Sequence, residues 1–176
     1  GTINTNKNGC VGLTGVPGAS NVAVIDDTCT GSFCSPTNNY NVSVQGLKIT
    51  GSQFTQGAGY TLTIGSSGFT QTAGIFTGGN SAISSGGAIS ITGGDFTSTS
   101  NTFTYSGNSL TISATNLFHH NNGTFSFSGS SVTRSVSANN VDFYHVNFAG
   151  YYDQTTLSAN INVLGNLTLS DTYNGG

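Results

Sequence analysis

The side chains able to do acid–base chemistry are few and scattered along the chain. Only nine of the 176 residues are charged, namely three Lys or Arg and six Asp, and Glu is absent. The only adjacent carboxylates are Asp26 and Asp27, whereas glycoside hydrolysis and calcium-assisted polysaccharide cleavage need facing carboxylates or acidic ligands beside a basic residue. Arg134 lies far from both in sequence. Asp26 and Asp27 therefore favour the end of a strand over a Ca²⁺ site, and Ca²⁺ is the one cofactor left open.

The three histidines do not form a metal-binding or catalytic motif. His119 and His120 are adjacent, and successive side chains of a strand point to opposite faces, so only one of them can join a common site. No Asp lies near His119 and His120 in sequence to orient an imidazole. The histidines are predicted to serve in turns or ladders, and we expect no enzymatic activity.

The cysteines are Cys10, Cys29 and Cys34. Cys29 and Cys34 are close enough in sequence to close a small disulfide loop in an oxidising setting, and Cys10 could instead pair with either one. The third thiol then stays free or crosses to another chain. Zinc binding is the alternative to a disulfide, but three Cys with no His nearby give weak spacing for a zinc site.

Three segments have the acceptor pattern for N-glycosylation: they begin at Asn41, Asn122 and Asn166. Asn122-Gly123 is also a strong turn signal. A chain this rich in Asn, Ser and Thr contains such patterns by chance, so glycosylation depends on the source of the chain.

Composition excludes several classes of partner. A formal charge of −3 with three scattered cations disfavours nucleic acid, because neutralising phosphates needs clustered Lys or Arg. No apolar run approaches the length of a membrane-spanning helix, so no transmembrane helix is predicted. Eleven Phe and seven Tyr provide enough apolar surface for a folded core. With so few charges to discourage association, the surface is expected to adhere to other copies of the chain.

Short runs of alternating apolar and polar residues fill the chain. Each run is bounded by Gly, Asn or Ser, which is typical of strands joined by tight turns. No segment has the i, i+3, i+4, i+7 spacing of an amphipathic helix. Examples are Leu62-Thr63-Ile64, Leu110-Thr111-Ile112 and Leu167-Thr168-Leu169. The fold class is therefore predicted to be all-β.

An imperfect internal repeat favours a parallel β-helix (β-solenoid). Apolar pairs five residues apart occur at Ile49–Phe54, Ile64–Phe69, Ile91–Phe96 and Ile112–Leu117. Pairs of Phe seven residues apart occur at Phe69–Phe76, Phe96–Phe103 and Phe118–Phe125, and the second Phe of each pair recurs at an imperfect interval. Such intervals indicate stacked coils in which like residues lie above one another. A β-sandwich explains the alternation but not the repeat, and is the alternative.

The two ends depart from the repeat. Residues 1–40 contain both prolines and all three cysteines, and are predicted to form an irregular N-terminal cap on a solenoid of residues 41–176 within one domain. Beyond the last two strands no capping helix is predicted, so the last coil should expose unpaired backbone groups. The absence of an initiator Met and a signal peptide fits a processed secreted chain or a cut-out segment.

The segment from Phe69 to Gly123 resembles the repeats of large secreted bacterial surface proteins of the β-helix, adhesin or autotransporter-passenger kind. The resemblance rests on Gly68-Phe-Thr-Gln-Thr-Ala-Gly-Ile-Phe, Ile91-Thr-Gly-Gly-Asp-Phe and Phe118-His-His-Asn-Asn-Gly-Thr-Phe, and covers roughly residues 40–170. It implies a secreted, cell-surface location and a role in attachment, surface coats or fibres, without a shared catalytic motif.

These observations predict a structural subunit of an extracellular fibre, sheath or surface layer, which polymerises with its own copies by stacking strands or coils. The alternative is a cell-surface adhesin module that binds carbohydrate or a host or matrix surface. An ice-binding solenoid is disfavoured, because Thr61-x-Thr63 does not recur in register along the sequence. Candidate interface residues are Tyr144, Tyr151, Tyr152, Leu167 and Leu169, because exposed Tyr and Leu side chains provide large contact areas.

Overall fold

The computed structural model of the protein describes residues 2–4, 17–27 and 35–170 as a β-solenoid of about seven turns. Every ladder between its strands is parallel, so the predicted β-helix is confirmed and the sandwich alternative is wrong. One short 3₁₀ turn spans Thr115–Leu117. The strands are β1 (Thr2–Asn4), β2 (Val22–Ile25), β3 (Thr37–Asn38), β4 (Val42–Ile49), β5 (Gln53–Gln56), β6 (Leu62–Gln71), β7 (Ile75–Thr77), β8 (Ile83–Ser85), β9 (Ile89–Ile91), β10 (Asp95–Thr97), β11 (Thr102–Tyr105), β12 (Ser109–Ile112), β13 (Phe118–His119), β14 (Thr124–Phe127), β15 (Thr133–Ser137), β16 (Val141–Phe143), β17 (His145–Phe148), β18 (Gln154–Leu157), β19 (Ile161–Val163) and β20 (Leu167–Leu169).

The strands form three faces, and the chain visits the faces in the same order in every coil. Face 1 contains β2, the second halves of β4 and β6, β9, β12, β15 and β18. Face 2 contains the first halves of β4 and β6, β8, β11, β14, β17 and β20. Face 3 contains β3, β5, β7, β10 and β13, followed by the separate pair β16 and β19. Strands distant in sequence thus become neighbours one coil apart.

Alternation of side chains builds the core. In β12, Leu110 and Ile112 point inward and are buried, while Ser109 and Thr111 are half-buried on the outer side. Because successive residues of a strand face opposite sides, each short run contributes two or three apolar side chains to the interior. The core runs continuously from Ala23 to Val146.

Aromatic rings stack along the solenoid axis. On face 3, Phe54, Phe76, Phe96 and Phe118 occupy one ladder, with nearly parallel rings whose centroids are 5.7, 4.7 and 5.5 Å apart. On face 2, Phe125 stacks on Phe103 at 5.0 Å. Offset-stacked rings stabilise by more than the area they bury, so these ladders join the coils together.

The register corrects one part of the predicted repeat. Phe96–Phe103 and Phe118–Phe125 are equivalent pairs, as predicted. Phe69–Phe76 is not: Phe76 stacks on Phe96 of the next coil, and Phe69 lies opposite Ile89. Ile64–Phe69 is out of register for the same reason, since Ile64 lies opposite Ser85. Ile112–Leu117 is not equivalent to Ile91–Phe96 either, because Phe118, not Leu117, lies opposite Phe96. A solenoid with three similar corners repeats one apolar spacing at different corners, and the sequence pattern does not distinguish them.

The region predicted as the N-terminal cap contains strands of the ladder. β1 pairs with β2, β2 with β4, and β3 with β5. Residues 1, 5–16 and 28–34 lie outside the described residues, so the cap itself remains a prediction. None of the helical segments described is long and apolar enough to cross a membrane.

Candidate self-association surface

The last coil that the structure describes consists of β18, β19 and β20, one strand on each face. β18 pairs with β15, β19 with β16, and β20 with β17. Among the described residues, no strand pairs with the other edge of any of the three. Each strand therefore presents a row of backbone N–H and C=O groups, which is the feature through which a sheet accepts a strand from another chain.

Apolar side chains at core positions of this coil are exposed. Leu157 lies opposite Val136, and Leu167 lies opposite Val146. Val136 and Val146 are 0% and 1% exposed, whereas Leu157 and Leu167 are 47% and 56% exposed. Leu169, the next inward residue of β20, reaches 75%. The coil has the side chains of a solenoid core, but no further described coil covers them.

A cavity of about 290 Å³ opens at this end of the solenoid. Its floor is formed by the rings of Phe127 and Phe148, which stack at 4.8 Å, and its rim includes Leu157 and Leu169. The lining residues are Phe127, Phe148, Gly150, Asp153, Thr155, Leu157 and Leu169. Two aromatic rings and two leucines therefore line this cavity beside the polar side chains of Asp153 and Thr155.

Asp153, which lines the cavity, forms a buried ion pair with Arg134. Arg134 also donates to the backbone oxygens of Ser128 at 2.8 Å and Tyr105 at 3.2 Å, and Asp153 accepts the backbone N–H of Val132 at 2.8 Å. Nothing in the local sequence indicates this pair, because its members are 19 residues apart and belong to different coils. Only the coil register brings them together.

His145 holds the start of β20. Its Nδ1 accepts the backbone N–H of Asn166 at 2.9 Å, immediately before Leu167. The ring of Tyr144 lies between the two imidazoles of His145 and His120, with centroid distances of 4.5 and 5.4 Å. Tyr144, a predicted interface residue, is half-buried at the corner between faces 3 and 2, and its backbone oxygen accepts the N–H of Gly165 in the last described coil.

The other predicted interface residues lie on the surface. Tyr151 and Tyr152 are exposed at the corner before β18, with perpendicular rings whose centroids are 4.3 Å apart. Leu167 and Leu169 lie in the last coil, as described above. Leu157 and Leu164 belong to the same exposed coil but were not predicted. In the strand of Leu157, the first inward position is the polar Thr155, so the strand does not show alternating apolar residues.

The three glycosylation candidates are all exposed. Asn122 lies in a tight turn with φ of 58°, and its backbone N–H donates to His120 Nδ1 at 2.9 Å. The side-chain oxygen of Asn41 accepts the backbone N–H of Thr61 at 2.9 Å. Glycosylation at Asn41, Asn122 and Asn166 remains a prediction.

The residues weighed for metal binding are dispersed. Within the described residues no three His, Cys or acidic side chains cluster, at Asp26 and Asp27 or elsewhere. Cys10, Cys29 and Cys34 lie outside the described residues, so no disulfide pairing is assigned. His119 does have an acidic neighbour, since its Nε2 lies 3.2 Å from Asp95 Oδ1 on the exposed side of face 3. The stacking of coils supplies this partner from the preceding strand of the face, β10.

The outer side of face 2 corrects the expectation about hydroxyl arrays. One column runs through seven coils in unbroken register and carries no charged side chain. Its members are Ser43, Thr63, Ser84, Thr104, Ser126, Asn147 and Thr168. Hydroxyl residues therefore do recur in register, but Ser and Asn interrupt the threonines, and the column is a polar ladder of mixed shape.

The arrangement of the chain is that of a β-helix repeat protein. No protein-family model, no curated protein and no solved structure matches the chain. The fold is therefore established by the strand register alone, and the resemblance to adhesins and autotransporter passengers has no further support.

Proposed function

We propose that the chain is a structural subunit of an extracellular fibre, sheath or surface layer, and that it self-associates through its last described coil. The observation that carries the proposal is the exposure of Leu157, Leu167 and Leu169, whose partners in the preceding coil, Val136, Val146 and Phe148, belong to the core or pack against it. Burying an exposed Leu side chain contributes about 1.5–3 kcal/mol. A second solenoid end supplies that burial together with partners for the free strand edges.

Composition and surface chemistry support a structural role. The chain has nine charged residues in 176, and none of them lies between residues 154 and 170. A low surface charge favours association between copies. The extracellular setting of the proposal rests on this composition and on the resemblance of the repeats to secreted surface proteins.

The test combines light scattering with electron microscopy over a range of protein concentrations. We expect the wild-type chain to form larger species as concentration rises. The double variant Leu167→Thr/Leu169→Thr keeps strand-forming side chains but removes the apolar surface, and should weaken association at least tenfold. Ile75→Thr makes a similar change at an exposed residue of face 3, and should associate like the wild type. Monomers at every concentration, or equal association of the double variant, would contradict the proposal.

A second candidate function is adhesion to carbohydrate. The observation in its favour is the exposed pair Tyr151 and Tyr152, because a Tyr ring combines an apolar face with a polar tip. On an array of immobilised glycans, the adhesin proposal expects binding that is lost in Tyr151→Ala/Tyr152→Ala and kept in Leu167→Thr/Leu169→Thr. An array without binding of the wild-type chain would count against it.

A further inference from the structure

Two histidines at the corner between faces 3 and 2 hold the backbone with the same ring nitrogen. The Nδ1 of His120 accepts the backbone N–H of Asn122 at 2.9 Å, and the Nδ1 of His145 accepts the backbone N–H of Asn166 at 2.9 Å. A neutral imidazole has one nitrogen that donates and one that accepts. Nδ1 is therefore the acceptor in both rings, and the ring proton is on Nε2.

Each of these bonds holds a local conformation of the corner. Asn122 has a φ of 58°, in the left-handed region that residues other than Gly rarely adopt. Asn166 belongs to the next coil and lies immediately before β20. Gly165 packs so closely on His145 that a Cβ there would lie 2.7 Å from Nδ1. One imidazole is thus part of a strained turn, and the other joins two successive coils.

A second proton on either ring removes the acceptor. An imidazolium has an N–H at both nitrogens, so its Nδ1–H and the backbone N–H would point at each other and the hydrogen bond would break. In water an imidazole takes up this proton at about pH 6.5, whereas a carboxyl group ionises at about pH 4 and a phenol at about pH 10. Between about pH 7.5 and 5, the histidines are therefore the described side chains that we expect to change charge.

The surroundings of the two rings provide no counter-ion for a protonated imidazole. Among the described residues, no carboxylate forms an ion pair with His120 or His145. The titratable group that faces both rings is the phenol of Tyr144, which lies between them. Thr124, opposite His145 in β14, is uncharged. The nearest acidic residue in sequence, Asp142 of β16, accepts a hydrogen bond from the side chain of the following coil at 2.7 Å.

We propose that His120 and His145 form an acid-sensitive latch, which holds the corner at neutral pH and releases the Asn122 turn and the start of β20 as the pH falls from about 7.5 to 5. The inference concerns the fold of a single chain and does not depend on the proposed self-association. His119 responds in the opposite sense, because its Nε2 lies 3.2 Å from Asp95 Oδ1 and a second proton completes an ion pair there. It therefore provides the control.

Nuclear magnetic resonance of the whole chain at low concentration tests the latch. The nitrogen chemical shifts of the imidazoles at pH 7.5 should place the ring proton of His120 and His145 on Nε2. Amide exchange is then measured at pH 7.5 and pH 5, each time relative to an unstructured peptide at the same pH. The protection of the Asn122 and Asn166 amides should fall about fivefold or more at the lower pH, as the loss of one hydrogen bond predicts.

Variants assign the response to each ring. An Asn side chain places an oxygen acceptor near the position of Nδ1 and does not take up a proton. His145→Asn should abolish the pH dependence of protection at Asn166 and keep it at Asn122, His120→Asn should do the reverse, and His119→Gln should keep both.

Three results would overturn the latch: a ring proton on Nδ1 at pH 7.5, wild-type protection that does not change with pH, or equal falls in the wild type and the Asn variants. Where a variant does not fold, the ring proton and the amide exchange of the wild type decide.

Discussion

Arg134 and Asp153 form a buried ion pair that joins two successive coils of the solenoid. The guanidinium also lies 5.9 and 5.8 Å from the ring centroids of Tyr105 and Phe127, so it is enclosed by aromatic surface. Both charged groups have lost their water, and each depends on the other for compensation. Asp153 also lines the cavity at the end through which we propose that copies associate.

Removing one member of this pair should be far more damaging than removing both. Arg134→Leu leaves the Asp153 carboxylate without its cation, and we expect a loss of about 3–5 kcal/mol in the free energy of unfolding. The double variant Arg134→Leu/Asp153→Leu should be more stable than that single variant, because apolar side chains of similar size replace a desolvated pair at little net cost. Denaturant titration measures both.

The pair of His119 and Asp95 is the control for this prediction. Both side chains are 53% exposed, and exposed ion pairs contribute about 1 kcal/mol or less. Asp95→Asn should therefore have a small effect. If Arg134→Leu is as mild as Asp95→Asn, the buried pair does not stabilise the solenoid.

Tyr105 makes stability depend on pH in the alkaline range. Burial raises the pKa of Tyr105 to about 12, against the smaller opposing effects of the nearby Ser109 amide and the Arg134 charge. In the unfolded chain the phenol ionises near pH 10. Between about pH 10 and 12 the unfolded chain binds fewer protons than the folded chain, so the contribution of Tyr105 is complete below pH 10 and is lost as pH rises, by about 1.4 kcal/mol per pH unit.

Tyr105→Phe isolates this contribution. The Tyr105 hydroxyl makes no hydrogen bond of normal geometry among the described residues, so the variant should be about as stable as the wild type at neutral pH. Denaturant titrations should show that the free energy of unfolding falls less between pH 9 and pH 11 for Tyr105→Phe than for the wild type. Equal losses of stability in the two proteins would show that Tyr105 is not the source of this pH dependence.

His145 should control how firmly the edge strand is held. His145→Ala removes the acceptor for the Asn166 N–H, which begins β20, and an unmade hydrogen bond of this kind costs about 1 kcal/mol. We expect faster hydrogen exchange of the backbone amides in β20 and weaker self-association. His119→Ala changes an exposed histidine of face 3 and should alter neither. Unchanged exchange in β20 would show that the strand is held by its ladder with β17 alone.

The sequence was sufficient to predict the class of fold because the strands alternate and many of the turns contain Gly, Asn or Ser. It was not sufficient to place the coils. Phe69 and Phe76 have the spacing of Phe96 and Phe103 but sit at a different corner. The apolar spacing is a local property, whereas the register depends on the number of residues in each corner, which varies from coil to coil.

The same limit applies to the candidate surface. Leu167 and Leu169 were recognisable because they flank Thr168 in a short alternating strand. Arg134 and Asp153 were not, because nothing in the local sequence of either residue indicates a partner. Their contact exists only once the coils of β15 and β18 lie in register, and such pairs are accessible from the sequence only when the coil length is known.

Gly68 offers a test of the register at the corner between faces 2 and 1. Its φ is +72°, and a Cβ at this position would overlap the backbone carbonyl oxygen of Ala88 in the next coil. Gly59 has a similar φ of +81°, but a Cβ there would meet no atom within 4 Å. Gly59→Ala should therefore lower the free energy of unfolding only by the cost of holding Ala in the left-handed conformation, about 1–2 kcal/mol. Gly68→Ala should cost about 1–3 kcal/mol more, because the coils must also move apart. Thermal and denaturant unfolding compare the two variants, and equal losses would mean that the backbones of adjacent coils do not approach as closely at Gly68 as the register requires.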